Sequence, residues 1–133
     1  MRQILAIDPG KDKCGIAVLS NNKIVLERKV ISRKSLSVEI MGILSRFEID
    51  TIILGGGTGS KDINKELRKF IQEVKIVLFP EKFTTLDARK RYWKENPPKG
   101  LWKLIPVTLR LPPKPYDDYV ATLLGERFLE SLH

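Results

Sequence analysis

The sequence has very little thiol or imidazole, with one cysteine (Cys14) and one histidine (His133) in 133 residues. A single cysteine excludes an internal disulfide framework, and together these two residues exclude a Cys/His zinc site. No apolar run approaches membrane-spanning length, and no signal-peptide pattern precedes the first apolar run. We therefore expect a cytoplasmic protein with no membrane partner. Any metal site in it must be built from oxygen ligands.

The order of apolar runs predicts an α/β fold in a single domain spanning residues 1–133. Alternating and short apolar runs of strand length occur at 2–8, 14–19, 23–31, 51–54 and 75–79, and helical stripes occur at 35–47, after Ser60, after Thr84 or Thr85, and at about 116–132. The first three strands follow one another through short turns, so they are expected to be antiparallel. The last two alternate with helices and are expected to be parallel. The prediction is a five-stranded mixed sheet with helices on both faces.

Local signals refine the helix ends. Ser60 is expected to cap the second helix, whose apolar stripe is expected to run from Ile63 to Val74. Thr84 or Thr85 is expected to cap the third, with Asp87 placed to complete a capping box on Thr84. Residues 96–115 hold six of the eight prolines. This segment is therefore predicted to be an exposed, irregular, basic loop.

Positive charge is concentrated in one quarter of the chain. Residues 82–114 contain nine basic and two acidic residues, which accounts for almost all of the net charge of +8. Such a segment, interleaved with Tyr92, Trp93 and Trp102, is suited to nucleic acid, because cations pair with phosphates and rings stack on bases. Either Trp considered singly fits a core position better. The residues expected to contact nucleic acid are Lys11, Lys82, Thr84, Arg89, Lys90, Arg91, Lys94, Trp102 and Lys103.

Three acidic residues are predicted to meet at one edge of the sheet. Asp8 ends the first strand, Glu81 follows the fifth, and Asp117 begins the last helix. Ligands bind in open α/β sheets at the carboxyl ends of the strands, which is where these residues fall. Each acid alone is equally well explained as a turn or cap residue, and only the combination indicates function.

Asp117 and its neighbour Asp118 compete for the third position. Asp117 lies on the apolar stripe that is expected to face the sheet, whereas Asp118 follows the side of Thr122, Gly125 and Leu129. We therefore expect Asp117 to be the third acid, with Asp118 as the fallback.

Three converging carboxylates repel one another unless cations or protons compensate them. Divalent metal is the simplest compensation. Two Mg²⁺ or Mn²⁺ ions about 4 Å apart can activate a water molecule and stabilise the leaving oxygen of a phosphodiester. That chemistry requires no histidine, cysteine or covalent nucleophile, in agreement with the composition.

The same residues carry a family resemblance. Residues 7–10 (IDPG) with 14–18 (CGIAV), residues 80–88 (PEKFTTLDA) and Asp117-Asp118 at the start of the last helix resemble the YqgF family of RNase H-like nucleases, which is related to the RuvC Holliday junction resolvases. The resemblance implies an RNase H-like fold with Asp8, Glu81 and Asp117 as metal-binding catalytic acids. It further implies cleavage of structured RNA or branched DNA, either in trimming the precursor of 16S rRNA or in junction resolution. Members of the resolvase branch work as dimers, so the resemblance allows a homodimer.

Two features depart from the family pattern and leave alternatives open. Pro80 and Lys82 flank Glu81 where the family usually has an acid and an arginine, and Lys lacks the bidentate fork of Arg. A nucleic-acid-binding domain of the same fold with weak or no turnover is thus one alternative. The glycine run 55–59 also resembles the phosphate loops of the actin, Hsp70 and sugar-kinase superfamily, in which backbone N–H groups cradle phosphates. A single-lobe ATP-binding domain is the second alternative.

Overall fold

The computed structural model describes residues 3–57, 59–79, 84–96 and 117–132, apart from the side chains of 84–86. In chain order the elements are β1 (Gln3–Asp8), β2 (Lys13–Ser20), β3 (Val25–Ser32), a 3₁₀ turn (Arg33–Ser35), α1 (Leu36–Arg46), β4 (Ile49–Gly55), α2 (Ser60–Arg68), β5 (Lys75–Phe79), α3 (Thr84–Glu95) and α4 (Asp117–Ser131). The predicted proline-rich loop lies almost wholly outside the described residues. Within the described ranges, no helix has the length and apolar character needed to cross a bilayer.

The five strands form one mixed sheet in the order β3-β2-β1-β4-β5. The pairs β1–β2 and β2–β3 are antiparallel, and the pairs β1–β4 and β4–β5 are parallel. The mixed sheet predicted from the apolar runs is therefore confirmed. β1 lies in the middle of the sheet, which places Asp8 at the centre of one sheet edge.

Successive strand residues point to opposite faces, so each face has its own apolar cluster. Leu5 and Ile7 of β1 pack against α1 and α2. Ile4 and Ala6 pack against α4 on the other face. α3 covers the outer side of α4 through buried Tyr92 and Trp93. The order of layers is α1/α2, sheet, α4 and α3.

Two predicted details of α2 are wrong. The N-cap is Gly59 and not Ser60, because Gly59 adopts φ 87°, a left-handed conformation that favours glycine. The helix ends at Arg68, although its apolar stripe was expected to continue through Val74. Phe70, Ile71 and Val74 still pack on the α1/α2 cluster after the chain has left the helix. The apolar residues at helical spacing continue past the end of the helix, because the residues that follow it pack on the same core.

The capping box expected at the first turn of α3 stays a prediction. The helix begins at Thr84, whose side chain lies outside the described atoms. The Asp87 carboxylate accepts a hydrogen bond from the Arg127 guanidinium of α4. Asp87 therefore links α3 to α4.

Candidate metal and nucleic-acid site

Asp8 is held at the edge of the sheet by its central strand, in which Ile4, Leu5, Ala6 and Ile7 are buried. It is the last residue of β1 and pairs with Gly15 of β2. Because Ile4 and Ala6 face α4, strand alternation places the half-buried Asp8 side chain on that same face. A strand paired on both sides fixes this carboxylate with little freedom.

Asp117 is brought to the same place by a glycine. A Cβ at position 15 would overlap the carbonyl carbon and oxygen of Asp117, so the first turn of α4 rests directly on the Gly15 backbone. Neighbouring strands lie about 4.8 Å apart, and Gly15 is the direct partner of Asp8. Asp8 and the Asp117 backbone therefore lie at one edge of the sheet and on one face of it, and a shared metal site there stays a prediction.

The electrostatics agree with this proximity. Burial raises the pKa of the Cys14 thiol, and the negative charges of both Asp8 and Asp117 raise it further, against a backbone hydrogen bond of Gly10 and the charge of Arg33. Burial also raises the pKa of Asp117, and the charge of Lys13 opposes that shift. Asp117 is thus a carboxylate that is costly to keep ionised without a further cation, which is typical of a ligand-binding group.

Asp118 has a different environment. The Arg28 Nε lies 3.3 Å from Asp118 Oδ2, and the same guanidinium lies 3.9 Å from the centroid of the Tyr119 ring. Burial raises the pKa of Asp118, while Arg28 lowers it. An internal ion pair therefore engages Asp118, and no described residue forms such a pair with Asp117.

The apolar stripe of α4 does not distinguish Asp117 from Asp118, so the reasoning that ranked these two acids is wrong. The side of Thr122, Gly125 and Leu129, expected to lie away from the sheet, is buried, and Gly125 lies against Leu19 and Ala6. α4 lacks a free face here because the sheet covers one side and α3 the other. The preference for Asp117 stays a prediction, now supported by the ion pair of Asp118.

The third expected acid, Glu81, lies outside the described residues. β5 ends two residues earlier at Phe79, whose ring meets that of Phe128 of α4 edge-on, with centroids 6.0 Å apart. The last described residue of β5 therefore faces α4, as Asp8 does. Over the described part of the chain, no three Asp, Glu, His or Cys side chains form a group that could hold a metal ion. Asp8 and Asp117 supply two hard oxygen ligands, which fit Mg²⁺ or Mn²⁺.

One cation at this edge was not identified from the sequence. Lys13 precedes Gly15 by two residues, so alternation places it on the α4 face, and its charge acts on Asp117. Its side chain is exposed. Residues two apart in a strand share a face, so the sequence places Lys13 on the same face as Gly15. That placement is informative only when it is known which helix covers this face.

The basic segment divides into engaged and exposed cations. Arg91 donates to Glu126 of α4 and lies 3.6 Å from Glu95. Lys90 and Lys94 are exposed, and both line a cavity of about 660 Å³ that is also lined by Glu126 of α4. Of the other residues expected to contact nucleic acid, Lys11 is exposed and Arg89 is half-buried.

The aromatic residues of this segment belong to the core. Tyr92 and Trp93 are buried, at 9% and 8% exposure, and meet edge-on with centroids 5.2 Å apart. The core position favoured for a single Trp is thus confirmed for Trp93. Lys82, Trp102, Lys103 and the Thr84 side chain lie outside the described residues and atoms.

One amide of the glycine run after β4 is engaged within the protein, since Gly56 N–H donates to Phe79 O at 3.0 Å. The Gly57 carbonyl accepts from Ser60 N–H at 3.2 Å. The Gly56 amide is therefore not available to cradle a phosphate, as the ATP-binding alternative would require. Thr58 lies outside the described residues.

Comparisons with known proteins agree with this geometry. No protein-family model matches the chain. A curated relative named "Putative pre-16S rRNA nuclease", from Sulfurovum sp. (strain NBC37-1), is 22% identical over 98 residues, which cover 66% of this chain and 77% of the relative. The solved structure of T. thermophilus RuvC in complex with a Holliday junction substrate matches with a TM-score of 0.61 and 15% identity, over 99% of this chain and 96% of that chain. The chain therefore has the RNase H-like fold of RuvC. The resemblance to the YqgF family in its motifs is confirmed by the curated relative from Sulfurovum.

Proposed function

We propose that this chain is a metal-dependent endonuclease that hydrolyses phosphodiester bonds in structured nucleic acid. The observation that carries the proposal is the meeting of Asp8 and Asp117 on the α4 face at one edge of the sheet. The names of the curated relative and of the RuvC complex support it. Processing of pre-16S rRNA is the favoured reaction, and resolution of a Holliday-type junction is the second.

Each residue at this edge has a role that follows from its position. Asp8, Asp117 and Glu81 would hold Mg²⁺ or Mn²⁺, the last being assigned from the sequence alone. A bound divalent ion lowers the pKa of a water molecule and stabilises the leaving oxygen. Lys13, exposed beside Asp117, attracts the phosphate of the substrate.

Two further residues position the acids. Gly15 lets the first turn of α4 approach β2, which no larger residue permits. Arg28 binds Asp118 and the Tyr119 ring, and so fixes the same turn from the side of β3. Displacement of reacting groups by about 1 Å can cost 100-fold in rate, so this support is part of the site.

The proposal is tested by cleavage of a pre-16S rRNA fragment and of a four-way DNA junction with Mg²⁺ or Mn²⁺. Asp8→Asn, Glu81→Gln and Asp117→Asn each remove one charge at nearly constant volume. Each should abolish cleavage while binding persists or tightens, because repulsion of the substrate phosphates falls. Asp118→Asn is the matched control. It removes a charge beside Asp117 but keeps a side-chain oxygen that can accept a hydrogen bond from Arg28, so cleavage should fall far less than in the other three variants.

Two outcomes would count against this assignment. Cleavage by all three variants at the parental rate would show that the reaction, if present, uses other residues. Salt-dependent binding by the parent without metal-dependent cleavage would favour a binding domain that has lost turnover. The homodimer allowed by the family resemblance stays a prediction.

A further inference from the structure

A cleft of about 350 Å³ opens next to the acidic edge, lined by Asp12, Lys13, Val30, Ile31 and Ser32. Val30 pairs with Gly15, and Ser32 pairs with Lys13. Directly paired residues share a face of the sheet, so these four positions lie on the α4 face with Asp8. At about 4.8 Å per strand, Val30 lies roughly 10 Å from Asp8.

The walls of the cleft are tied together by backbone hydrogen bonds. Arg33 N–H donates to Asp12 O at 2.9 Å, which joins the turn after β1 to the end of β3. Lys34 N–H donates to the Ser32 hydroxyl at 3.3 Å. The cleft is therefore largely formed before a ligand arrives, as small-molecule subsites usually are.

The lining combines the groups that recognise a nucleotide. Val30 gives an apolar surface on the α4 face, Lys13 gives a cation and Ser32 gives a hydroxyl that can bond to sugar or base. Ile31 also lines the cleft, but its side chain belongs to the α1/α2 cluster on the opposite face. A cavity of similar size, about 360 Å³, lies at the opposite edge of the sheet among Leu44, Phe70 and Glu73, and none of the described residues that line it is basic. The two cavities therefore have similar volumes but differ in the charge of their linings.

We infer that the cleft beside Lys13 binds the nucleotide adjacent to the phosphodiester that is cut. This inference rests on the proposed nuclease function. The base or sugar packs on Val30, and Lys13 pairs with a phosphate on the side of the cleft that faces Asp117. The substrate strand must be unpaired at this nucleotide, because a base held in a duplex cannot enter a cleft in the protein. Asp12 is the acidic residue of the lining and opposes this binding.

The inference is tested by fluorescence anisotropy with a short labelled single-stranded RNA and the full chain, in EDTA at low ionic strength. Val30→Glu replaces the apolar contact with a carboxylate that repels the phosphate and should weaken binding roughly tenfold or more, equivalent to about 1.4 kcal/mol. Leu26→Glu is the matched control, on the same edge strand, at a position that is 42% exposed and outside the cleft. It changes the net charge equally and should weaken binding by less than about threefold.

A second variant keeps the test decisive if Val30→Glu does not fold. Asp12→Asn removes the opposing charge at an exposed position without a change of volume, and should tighten binding about twofold to threefold. Equal effects of Val30→Glu and Leu26→Glu, or no effect of Asp12→Asn, would overturn the subsite. Because EDTA prevents cleavage, the readout is independent of turnover. A parent that fails to cleave with Mg²⁺ would refute the nuclease and leave this binding result intact.

Discussion

Glu66 and Asp117, two carboxylates on opposite faces of the sheet, differ in how the protein compensates their charge. On the α1/α2 face, Glu66 accepts from the Ser37 hydroxyl at 2.6 Å and from Arg33 at 3.1 Å, and these two partners lower its pKa. On the α4 face, burial raises the pKa of Asp117, and only the charge of Lys13 opposes that shift. Within the described residues, Glu66 is compensated by two hydrogen-bond donors, whereas Lys13 is the charge that acts on Asp117.

The basic residues of α3 likewise divide into cations that are paired within the protein and cations that are exposed. Arg91 is paired with Glu126 and Glu95, and it joins α3 to α4. Lys90 and Lys94 are exposed, and within the described residues neither makes a hydrogen bond or ion pair. Compensated charges therefore hold layers together here, and uncompensated charges face the solvent or the acidic edge. The second group is expected to bind substrate.

The largest expected effect comes from the glycine that joins β2 to α4. Gly15→Ala places a Cβ inside the Asp117 backbone, so the first turn of α4 must move. We expect a loss of cleavage rate of about 100-fold and a loss of unfolding free energy of about 1–3 kcal/mol. Cleavage kinetics and urea unfolding at pH 7 measure both changes.

Gly42→Ala is the control for that change on the opposite face. Gly42 lies within α1, and a Cβ there would have no neighbour within 4 Å. Alanine in a helix should raise the unfolding free energy by about 0.5–1 kcal/mol and leave cleavage unchanged. If Gly15→Ala were as harmless as Gly42→Ala, close approach of α4 to β2 would not be what positions Asp117.

The next effect separates the exposed from the paired cations of α3. The double variant Lys90→Gln/Lys94→Gln should weaken binding of structured RNA and reduce the salt slope of log Kd by about one unit for each phosphate that no longer pairs with a lysine. Its unfolding free energy should stay within about 0.5 kcal/mol of the parent.

Arg91→Gln is the matched variant on the same helix and should give the reverse result. It leaves Glu126 without its partner, so stability should fall by about 1 kcal/mol while the salt slope changes little. An unchanged slope in the lysine double variant would place this helix away from the nucleic acid. A flattened slope in Arg91→Gln would show that the ion pair opens on binding.

The sequence was sufficient for the architecture because the signals were local. The alternation in β1 and β2 and the apolar run of β4 are set by side chains that each bury against a neighbouring layer. Helix ends were less accurate, since the cap of α2 depends on the left-handed backbone of Gly59 and not on the side chain of Ser60.

The candidate site was predicted in part. The positions of Asp8 and of the Asp117 backbone beside Gly15 follow from topology, and their role as metal ligands stays a prediction. Lys13, the ion pair of Asp118 and the commitment of Arg91 to Glu126 could not be predicted, since each depends on which residues face each other across layers. A single sequence specifies the face of a residue more readily than its partner on another element.

The smallest expected effects come from Asp117 and Glu66 themselves. At pH 7, without metal, Asp117→Asn should raise the melting temperature by roughly 3 °C, because it removes a half-buried charge.

Glu66→Gln should lower the unfolding free energy by about 0.5–1 kcal/mol, because its ion pair is partly exposed. A carboxylate with a lowered folded-state pKa adds stability above its unfolded value, here 4.5, and loses it as the pH falls through the folded value. The difference between parent and Glu66→Gln in urea unfolding should therefore be constant near neutral pH and shrink below about pH 4.5. A difference that persisted at lower pH would show that Ser37 and Arg33 hold Glu66 by geometry and not by its charge.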